Sequence, residues 1–339
     1  MACKMLFFDY RKPEEHFFKK HKLENFDIKF FEESLNESTL NLLTEEDFEN
    51  TMIISVFISS TIDENIISRF KNLRVISTRS TGYDHICINS CVEKNVTLLN
   101  VDSYGSIAVA QFTMAVILML VRNIFPALQA VKNSSFDFEN LCGRDLNSLT
   151  LGVIGTGAIG SSVCKYAHAF GMKILAYDIV QKKELISDAD VKYVEMDELL
   201  KRSDIVTLHF PYFKENYHLF STKQFEMMKQ GSYFINVSRG EVVDTEALLE
   251  FAKKGKFKGV AVDVVACPDL ENVSGEIIDK SSVSCMQTSE VVKELEKLPN
   301  VILTPHMAYD TQEAVDYILE MTFEGLQDFL TGGHKHRVI

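Results

Sequence analysis

The sequence lacks any pair of cysteines at the CxxC spacing, although it contains seven cysteines among its 339 residues. His85, Cys87 and Cys91 are three possible zinc ligands, but no second cluster supplies the fourth ligand of a tetrahedral site. The sequence therefore predicts no metal centre. In a cytoplasmic protein the thiols would stay reduced.

Positive charge is scarce, with 35 lysines and arginines against 48 aspartates and glutamates, which gives a formal net charge of −13. Nucleic acids and anionic membranes both attract positive surfaces. Neither is therefore predicted as a partner. A small acid or an anionic cofactor would need a local positive site on this acidic protein.

Long apolar runs are also missing. The most apolar run covers residues 107–121, contains Gln111 and Thr113, and is shorter than the ~18 residues of a membrane-spanning helix. This run favours a helix buried against another domain or subunit. The first residues, MACKMLFFDYRKPEEH, mix charges with apolar residues and match no signal peptide. We therefore expect a cytoplasmic protein.

Residues 151–178, LGVIGTGAIGSSVCKYAHAFGMKILAYD, have the pattern of a dinucleotide-binding unit. An apolar strand is followed by three glycines, a helical segment and a second strand that ends on an acid. Gly155 permits a tight turn, Gly157 lets the backbone approach a pyrophosphate, and Gly160 lets helix and strand pack closely. This succession predicts a nucleotide site, because the glycines alone would be a weak signal.

Asp178 predicts which dinucleotide is bound. It lies at the carboxyl end of the second strand, where a carboxylate accepts hydrogen bonds from the ribose hydroxyls and repels a 2'-phosphate. Neither Ile179 nor Val180, the next two residues, supplies a cation for that phosphate. The sequence therefore predicts NAD rather than NADP.

Short apolar segments alternate with helical patterns along the chain, which predicts an α/β protein with parallel sheets. The predicted strands are 5–8, 28–31, 52–58, 75–77, 96–99, 151–154, 174–177, 205–208, 233–236, 259–262 and 301–303. Long helices are predicted at 106–125, where Pro126 disturbs the end, and at 311–330. Residues 267–288 fit neither period, and a loop of that length is either functional or disordered.

Five further blocks occur in order around the glycine motif: STRSTGYDHI (77–86), LHFPYFKENYHLF (208–220), INVSRGEVVDTEAL (235–248), GVAVDV (259–264) and LTPHMAYDTQEAV (303–315). With them, nearly the whole chain resembles the D-isomer-specific 2-hydroxyacid dehydrogenases, most of all those that act on D-lactate. The resemblance implies a doubly wound Rossmann NAD-binding domain (104–305) inserted into a smaller flavodoxin-like α/β substrate domain (1–103 and 306–339). It also implies a homodimer.

Reduction of a 2-keto acid needs a hydride donor, a cation for the carboxylate and ketone, and an acid that protonates the forming alkoxide. Arg239 follows a strand and offers a planar fork of donors, which fits the cation. His306 follows the last strand and can exchange a proton near neutral pH, which fits the acid. His209 competes for that role, but the resemblance makes it a structural residue.

The resemblance also implies the remaining contacts. Those to the cofactor fall on Gly155, Gly157, Ala158, Ile159, Gly160, Asp178, Phe210, Pro211, Asn216, Val237, Ser238, Arg239 and Asp263, the last facing the nicotinamide amide. Those to the substrate fall on Ser80, Thr81 and Gly82, whose amides receive the carboxylate, and on Tyr104 and Tyr309.

The chain departs from the family where a glutamate usually pairs with the catalytic histidine, because Pro268 occupies that position. Asp269, Glu271 and Asp310 are possible substitutes, and the sequence does not choose among them. Ser59 stands where lactate-specific relatives often carry a bulky aromatic residue, and Phe112 where they often have histidine. Two functions therefore stay open: an NADH-dependent 2-keto acid reductase, and an NAD-binding regulatory protein whose catalysis has decayed.

Overall fold

The computed structural model describes residues 2–83, 85–102, 105–265 and 289–339. In it the described chain forms two compact units. The first unit contains residues up to 105 and residues 310–339, and the second contains residues 106–265 and 289–309. The chain thus changes unit at 105/106 and 309/310, whereas the division expected from the sequence lies at 103/104 and 305/306.

The strands lie where short apolar runs occur in the sequence. They are β1 Cys3–Phe7, β2 Phe26–Phe30, β3 Ile53–Val56, β4 Val75–Thr78, β5 Thr97–Leu99, β6 Thr150–Ile154, β7 Lys173–Tyr177, β8 Val191–Tyr193, β9 Ile205–Leu208, β10 Ser232–Asn236, β11 Phe257–Val262 and β12 Val301–Leu303. Every predicted strand is confirmed to within two residues at each end. The sequence missed β8, a three-residue strand at the sheet edge in which only Val191 is buried.

The helices connect these strands. They are α1 Glu15–Lys20, α2 Glu45–Asn50, α3 Glu64–Arg69, α4 Ile88–Glu93, α5 Ser106–Val121, α6 Ile124–Lys132, α7 Ala158–Ala169, α8 Lys183–Ala189, α9 Met196–Arg202, α10 Thr222–Met227, α11 Thr245–Lys253, α12 Glu290–Glu296 and α13 Gln312–Leu330. Short 3₁₀ helices of one or two turns occur at Lys12–Glu14, Glu37–Leu42, Leu146–Ser148, Lys214–Asn216 and Gly240–Val242.

The first unit contains a five-stranded parallel sheet in the order β2-β1-β3-β4-β5. Alternate strand residues point to opposite faces, so Leu6 lies in one apolar cluster and Met5 and Phe7 lie in the other. Buried residues of α13, including Leu319 and Phe323, belong to the second cluster. The C-terminal helix therefore covers one face of this sheet.

The second unit contains a seven-stranded parallel sheet in the order β12-β11-β10-β9-β6-β7-β8. The strand order reverses between β6 and β9, which lie side by side in the sheet. This is the doubly wound Rossmann arrangement, in which ligands bind at the carboxyl ends of the strands beside the reversal. The predicted fold class is confirmed.

The helix predicted at 106–125 is wrong in one respect, because it is two helices. Asn123 has φ 51°, a left-handed conformation that ends α5 and starts α6 at a different angle. Pro126 lies in the first turn of α6, where a missing amide hydrogen breaks no helical hydrogen bond. Among the described residues no single helix is long and apolar enough to cross a membrane; α5 and α6 together, bent by 65°, pass that test by length and composition only.

Candidate active site

The glycine loop joins β6 to α7 at the reversal of the sheet. Gly155 has φ 89°, and a Cβ there would lie 2.7 Å from the carbonyl carbon and oxygen of His209. A Cβ on Gly160 would overlap the carbonyl oxygen of Gly155. Both positions therefore require glycine: at Gly155 the loop packs against the chain that follows β9, and at Gly160 helix α7 packs against the loop itself.

Packing within the described chain does not require glycine at position 157. It is the N-cap of α7, and a Cβ there would meet no atom of the described chain within 4 Å. The open space lies at the start of a 12-residue helix, whose free amides favour a phosphate. Ala158 and Ile159, two of the predicted contacts, are the first residues of that helix. These features fit the pyrophosphate of a dinucleotide.

Asp178 lies directly after β7, and its carboxylate is held by the glycine loop. One oxygen accepts hydrogen bonds from the amide and the hydroxyl of Thr156, and the other accepts the amide of Val180 at 3.1 Å. Burial by itself raises the pKa of Asp178, but these hydrogen bonds outweigh it and the pKa is lowered. Asp178 is therefore ionised at neutral pH, as repulsion of a 2'-phosphate requires. The sequence analysis did not identify Thr156, which fixes the orientation of this carboxylate.

We expect the protein to bind NADH more tightly than NADPH, because the Asp178 carboxylate and a 2'-phosphate carry like charge, a juxtaposition that costs several kcal/mol. Asp178→Asn keeps the side-chain shape and removes the charge, so it should narrow the difference between the two dissociation constants. Fluorescence titration with each cofactor measures this. Equal affinity of the wild-type protein for both cofactors would contradict the expectation.

The loop after β9 carries three predicted cofactor contacts. The side chain of Asn216 closes this loop, because it accepts the amide of Phe213 and donates to the carbonyl of Pro211, each at 2.8 Å. Phe210 is partly buried and Pro211 is exposed. Their contacts with the cofactor stay predictions.

His209, just before Phe210, is buried, and its Nε2 lies 3.0 Å from the hydroxyl of Thr207. Burial lowers the pKa of His209 to about 3, so the ring is neutral at physiological pH. Because the ring is buried and its Nε2 is engaged by Thr207, it is poorly placed to donate a proton to a ligand. This placement agrees with the structural role expected for it.

Arg239 lies in the loop after β10, and Asn236 organises that loop. The Asn236 side-chain oxygen accepts the amide (3.1 Å) and the hydroxyl (2.8 Å) of Ser238, and its nitrogen donates to the carbonyl of Arg239 at 2.9 Å. The Arg239 guanidinium is partly exposed and donates to the carbonyl of Ser238. Among the described residues no carboxylate lies within 4 Å of it, so its charge is available to an anionic ligand.

His306 lies just after β12 in a left-handed conformation, with φ 53°. Asp263, at the end of β11, holds this turn: its carboxylate accepts the hydroxyl of Thr304 at 2.6 Å and the amides of Met307 and Ala308 at 2.9 Å. Its carbonyl oxygen accepts the amide of His306. Burial raises the pKa of Asp263 in spite of these hydrogen bonds. The structure thus places Asp263 under the histidine turn, and its contact with nicotinamide stays a prediction.

The ring of His306 is partly buried and lies edge-on to Tyr309, with 6.4 Å between ring centroids. Burial and, after it, the nearby Arg239 guanidinium lower the pKa of His306 to about 4. The structure therefore brings Arg239 and His306 together at the carboxyl edge of the sheet. Their loops follow β10 and β12 of the sheet that also carries the glycine loop.

The predicted carboxylate-binding turn, Ser80–Gly82, lies in the first unit, after β4. The Ser80 hydroxyl donates to the carbonyl of Gly82 at 2.6 Å, and the Thr81 hydroxyl donates to the carbonyl of Val101 at 2.9 Å. The amides of Thr81 and Gly82 donate to no acceptor in the described part of the chain. The side chains thus shape the turn and leave its amides available. Tyr104, the other predicted substrate contact of this unit, lies outside the described residues.

A family model, "D-isomer specific 2-hydroxyacid dehydrogenase, NAD binding domain", matches residues 114–308, more than half of the chain. The protein belongs to this family. A "2-hydroxyacid dehydrogenase homolog" of Haemophilus influenzae is 32% identical over 91% of this chain and 90% of its own. An "aromatic 2-oxoacid reductase" of Clostridium sporogenes is 34% identical over 81% and 82% of the two chains. The structure of an Aquifex aeolicus D-lactate dehydrogenase with NAD and lactic acid has a TM-score of 0.82 and 33% identity, covering 98% of each chain.

As a D-isomer specific 2-hydroxyacid dehydrogenase, the protein is an NAD-binding oxidoreductase. The resemblance places Pro268 where this family usually has the glutamate that pairs with the catalytic histidine. Pro268, Asp269 and Glu271 lie outside the described residues. Asp310 forms an ion pair with Arg11 of its own unit, at 3.1 Å.

The ring nitrogens of His306 make no hydrogen bond within the described residues, which is consistent with the lowered pKa of this dehydrogenase's histidine. In the same part of the chain, no group of three or more histidine, cysteine, aspartate or glutamate side chains is arranged to hold a metal ion.

Proposed function

We propose that the protein uses NADH to reduce a 2-keto acid to the D-2-hydroxy acid, and catalyses the reverse reaction, with Arg239 and His306 as catalytic residues. The observation that carries this proposal is the placement of Arg239 and His306 shortly after β10 and β12, at the carboxyl edge of the nucleotide-binding sheet, with no carboxylate within 4 Å of the guanidinium among the described residues. The names of the relatives support the substrate class, because they include 2-oxoacid reductases and D-lactate dehydrogenases.

The roles of the two side chains follow from their chemistry. NADH, when bound, supplies the hydride. The Arg239 guanidinium holds the substrate anion and polarises the ketone, since its planar donors match a carboxylate or ketone oxygen. Protonated His306 gives its proton to the alkoxide oxygen that forms at C2.

NADH oxidation with a panel of 2-keto acids tests this function. Steady turnover with at least one acid, together with a D-hydroxy acid product identified by chiral chromatography, is the expected result. A regulatory protein with a decayed site would bind NADH without turnover on any acid. That outcome would favour the alternative of an NAD-binding regulator.

The same panel should show a wide substrate range. Ser59 is partly exposed in the loop after β3, and its hydroxyl makes no hydrogen bond within the described residues. Its neighbour Ser60 is buried and bonded to Asp9. Serine in place of a bulky side chain leaves more space beside the substrate. Larger keto acids would fill that space and gain apolar burial worth ~25 cal/mol per Å². Branched and aromatic keto acids should therefore match pyruvate in kcat/KM.

Ser59→Phe should restore a preference for pyruvate, and Ser59→Ala serves as the control that adds no bulk. Comparison of kcat/KM for pyruvate and phenylpyruvate in the three proteins measures the effect. A strict pyruvate preference in the wild type would show that another side chain fills this space.

We also propose that the protein is a cytoplasmic homodimer joined through the second unit. Helix α6 has no buried residue, and Ile124, Leu128 and Val131 present an apolar stripe at i, i+4 and i+7 that is 40%, 54% and 51% exposed. Phe136 and Phe138, shortly after the helix, are both 79% exposed. Apolar patches of this kind mark protein interfaces, and a second copy would cover this one.

Light scattering after size exclusion should therefore give twice the chain mass of 38.5 kDa. Leu128→Glu with Val131→Glu places two charges in the stripe and should yield monomers at micromolar concentration. Ile186→Glu, at an exposed apolar position of α8, is the matched control. A wild-type monomer, or a dimer unaffected by the double substitution, would contradict the assignment.

A further inference from the structure

Lys182 lies in the segment between β7 and α8, and its side chain reaches the glycine loop. The ammonium donates to the hydroxyl of Ser161 on α7 at 2.9 Å, and that hydroxyl donates to the carbonyl of Thr156 at 2.8 Å. The backbone amide of Lys182 donates to the hydroxyl of Tyr193 at 3.1 Å. The lysine is therefore held at its ammonium by α7, beside the glycine loop, and at its backbone by β8.

Asp178 belongs to the same hydrogen-bonded cluster. The hydroxyl of Thr156 bonds the Asp178 carboxylate at 3.0 Å and the hydroxyl of Tyr193 at 2.9 Å. Thr156 thus connects to a carboxylate through its side chain and, through Ser161, to an ammonium. The cluster places one negative and one positive group around the end of β7, where a Rossmann sheet receives the adenosine ribose.

The charge of Lys182 is not neutralised within the described residues, where no carboxylate lies within 4 Å of its ammonium. The acceptor that the described residues offer it is the neutral hydroxyl of Ser161, which leaves two of its three donors without an acceptor among them. The side chain is partly buried, and a partly desolvated cation gains from an anionic partner. A protein with net charge −13 has many carboxylates that could pair with a lysine. An ammonium beside the glycine loop with no such partner among the described residues therefore indicates a place for an anionic ligand.

We propose that Lys182 is a cofactor-specificity residue that attracts the 2'-phosphate of NADP, and that Asp178 cancels this attraction in the wild-type protein. The inference rests on the proposed function only in that the glycine loop binds a nicotinamide dinucleotide. Phosphate oxygens would take the two unused donors of the ammonium. Preference for NAD would then depend on the single charge of Asp178.

Dissociation constants for NADH and NADPH, from the fluorescence of the bound cofactor, test this without any keto acid. Asp178→Asn should tighten NADPH binding by about tenfold or more, because a like charge is removed while the lysine stays. Adding Lys182→Met should abolish most of that gain and change the NADH constant by less than about threefold. Adding Lys183→Met instead, at the exposed neighbouring lysine, should preserve the gain.

Two further measurements separate charge from structure. Lys182→Arg in the Asp178→Asn background should keep NADPH binding, and the gain should shrink at high ionic strength. NADPH affinity that survives Lys182→Met would overturn the assignment, as would an equal loss of NADH and NADPH affinity. Failure of the wild-type protein to bind either cofactor would instead overturn the proposed function, and this assignment with it.

Discussion

Replacement of His306 with glutamine is expected to lower kcat/KM for keto-acid reduction by about 10²–10⁴-fold, the usual contribution of a general acid. Glutamine keeps a hydrogen-bond donor near the ketone oxygen but has no proton to transfer. NADH affinity should stay within a few-fold of wild type, because the glycine loop is untouched. His168→Gln, an exposed position on α7, is the control and should leave activity unchanged.

The pH dependence of kcat/KM for reduction by the wild-type protein is a more specific test of the role of His306. Reduction needs the imidazolium, and the pKa of His306 is lowered to about 4 by burial and by Arg239. Reduction should therefore lose about tenfold in kcat/KM per pH unit above that pKa. Oxidation of the hydroxy acid needs the neutral ring, so its rate should rise as pH increases toward that pKa and level off about one pH unit above it. The optimum for reduction should be acidic.

Pro268→Glu supplies a carboxylate at the position where the family usually has its glutamate. This substitution should move the inflection of the pH profile for reduction to higher pH, because a nearby anion raises the pKa of a histidine. Full wild-type activity in reduction well above pH 8 would show that a carboxylate already reaches His306. Asp269, Glu271 and Asp310 should then be replaced one at a time. Asp310 is the least suited of the three, since its carboxylate already pairs with Arg11.

Replacement of Arg239 with glutamine should lower kcat/KM for keto-acid reduction by about 10²–10³-fold, as expected when one preorganised donor to a developing oxyanion is removed. Arg239→Lys restores the charge without the planar fork and should recover only part of the loss. Arg202→Gln, at an exposed arginine of α9, is the matched control and should have no effect.

The pH dependence of the residual activity of Arg239→Gln gives a second test. The Arg239 charge lowers the pKa of His306, so its removal should move the inflection of the reduction profile to higher pH. Arg239→Lys should keep the inflection near the wild-type value. A large loss of activity with an unshifted profile would show that the two side chains do not interact electrostatically.

Much of this fold could be predicted from the sequence, because its signals are local. Buried parallel strands are short apolar runs, and every predicted strand is present. The edge strand β8 and the break at Asn123 escaped prediction. β8 buries only Val191 and so has no apolar run. The break at Asn123 depends on a backbone conformation that no periodicity encodes.

The sequence by itself determined the glycine loop, the acid that follows β7, and the positions of Arg239 and His306 near the ends of strands. Gly155, Gly160 and Asp178 could be predicted because a tight turn, a close approach and a ribose acceptor each impose a residue type at a fixed spacing. The positions of Arg239 and His306 could be predicted because each lies three residues after a strand, and in a parallel sheet the residues that follow the strands lie at one edge.

Only the tertiary structure decided the pKa values and the hydrogen-bond partners of those side chains. Residues distant in sequence make each of these interactions. Arg239 contributes to the lowered pKa of His306, and Asp263 accepts hydrogen bonds from the turn that carries His306. Lys182 donates to Ser161. Asp310 pairs with Arg11 across 299 positions of the chain. Electrostatic energies depend on distance and burial in space, and spacing along the chain fixes neither.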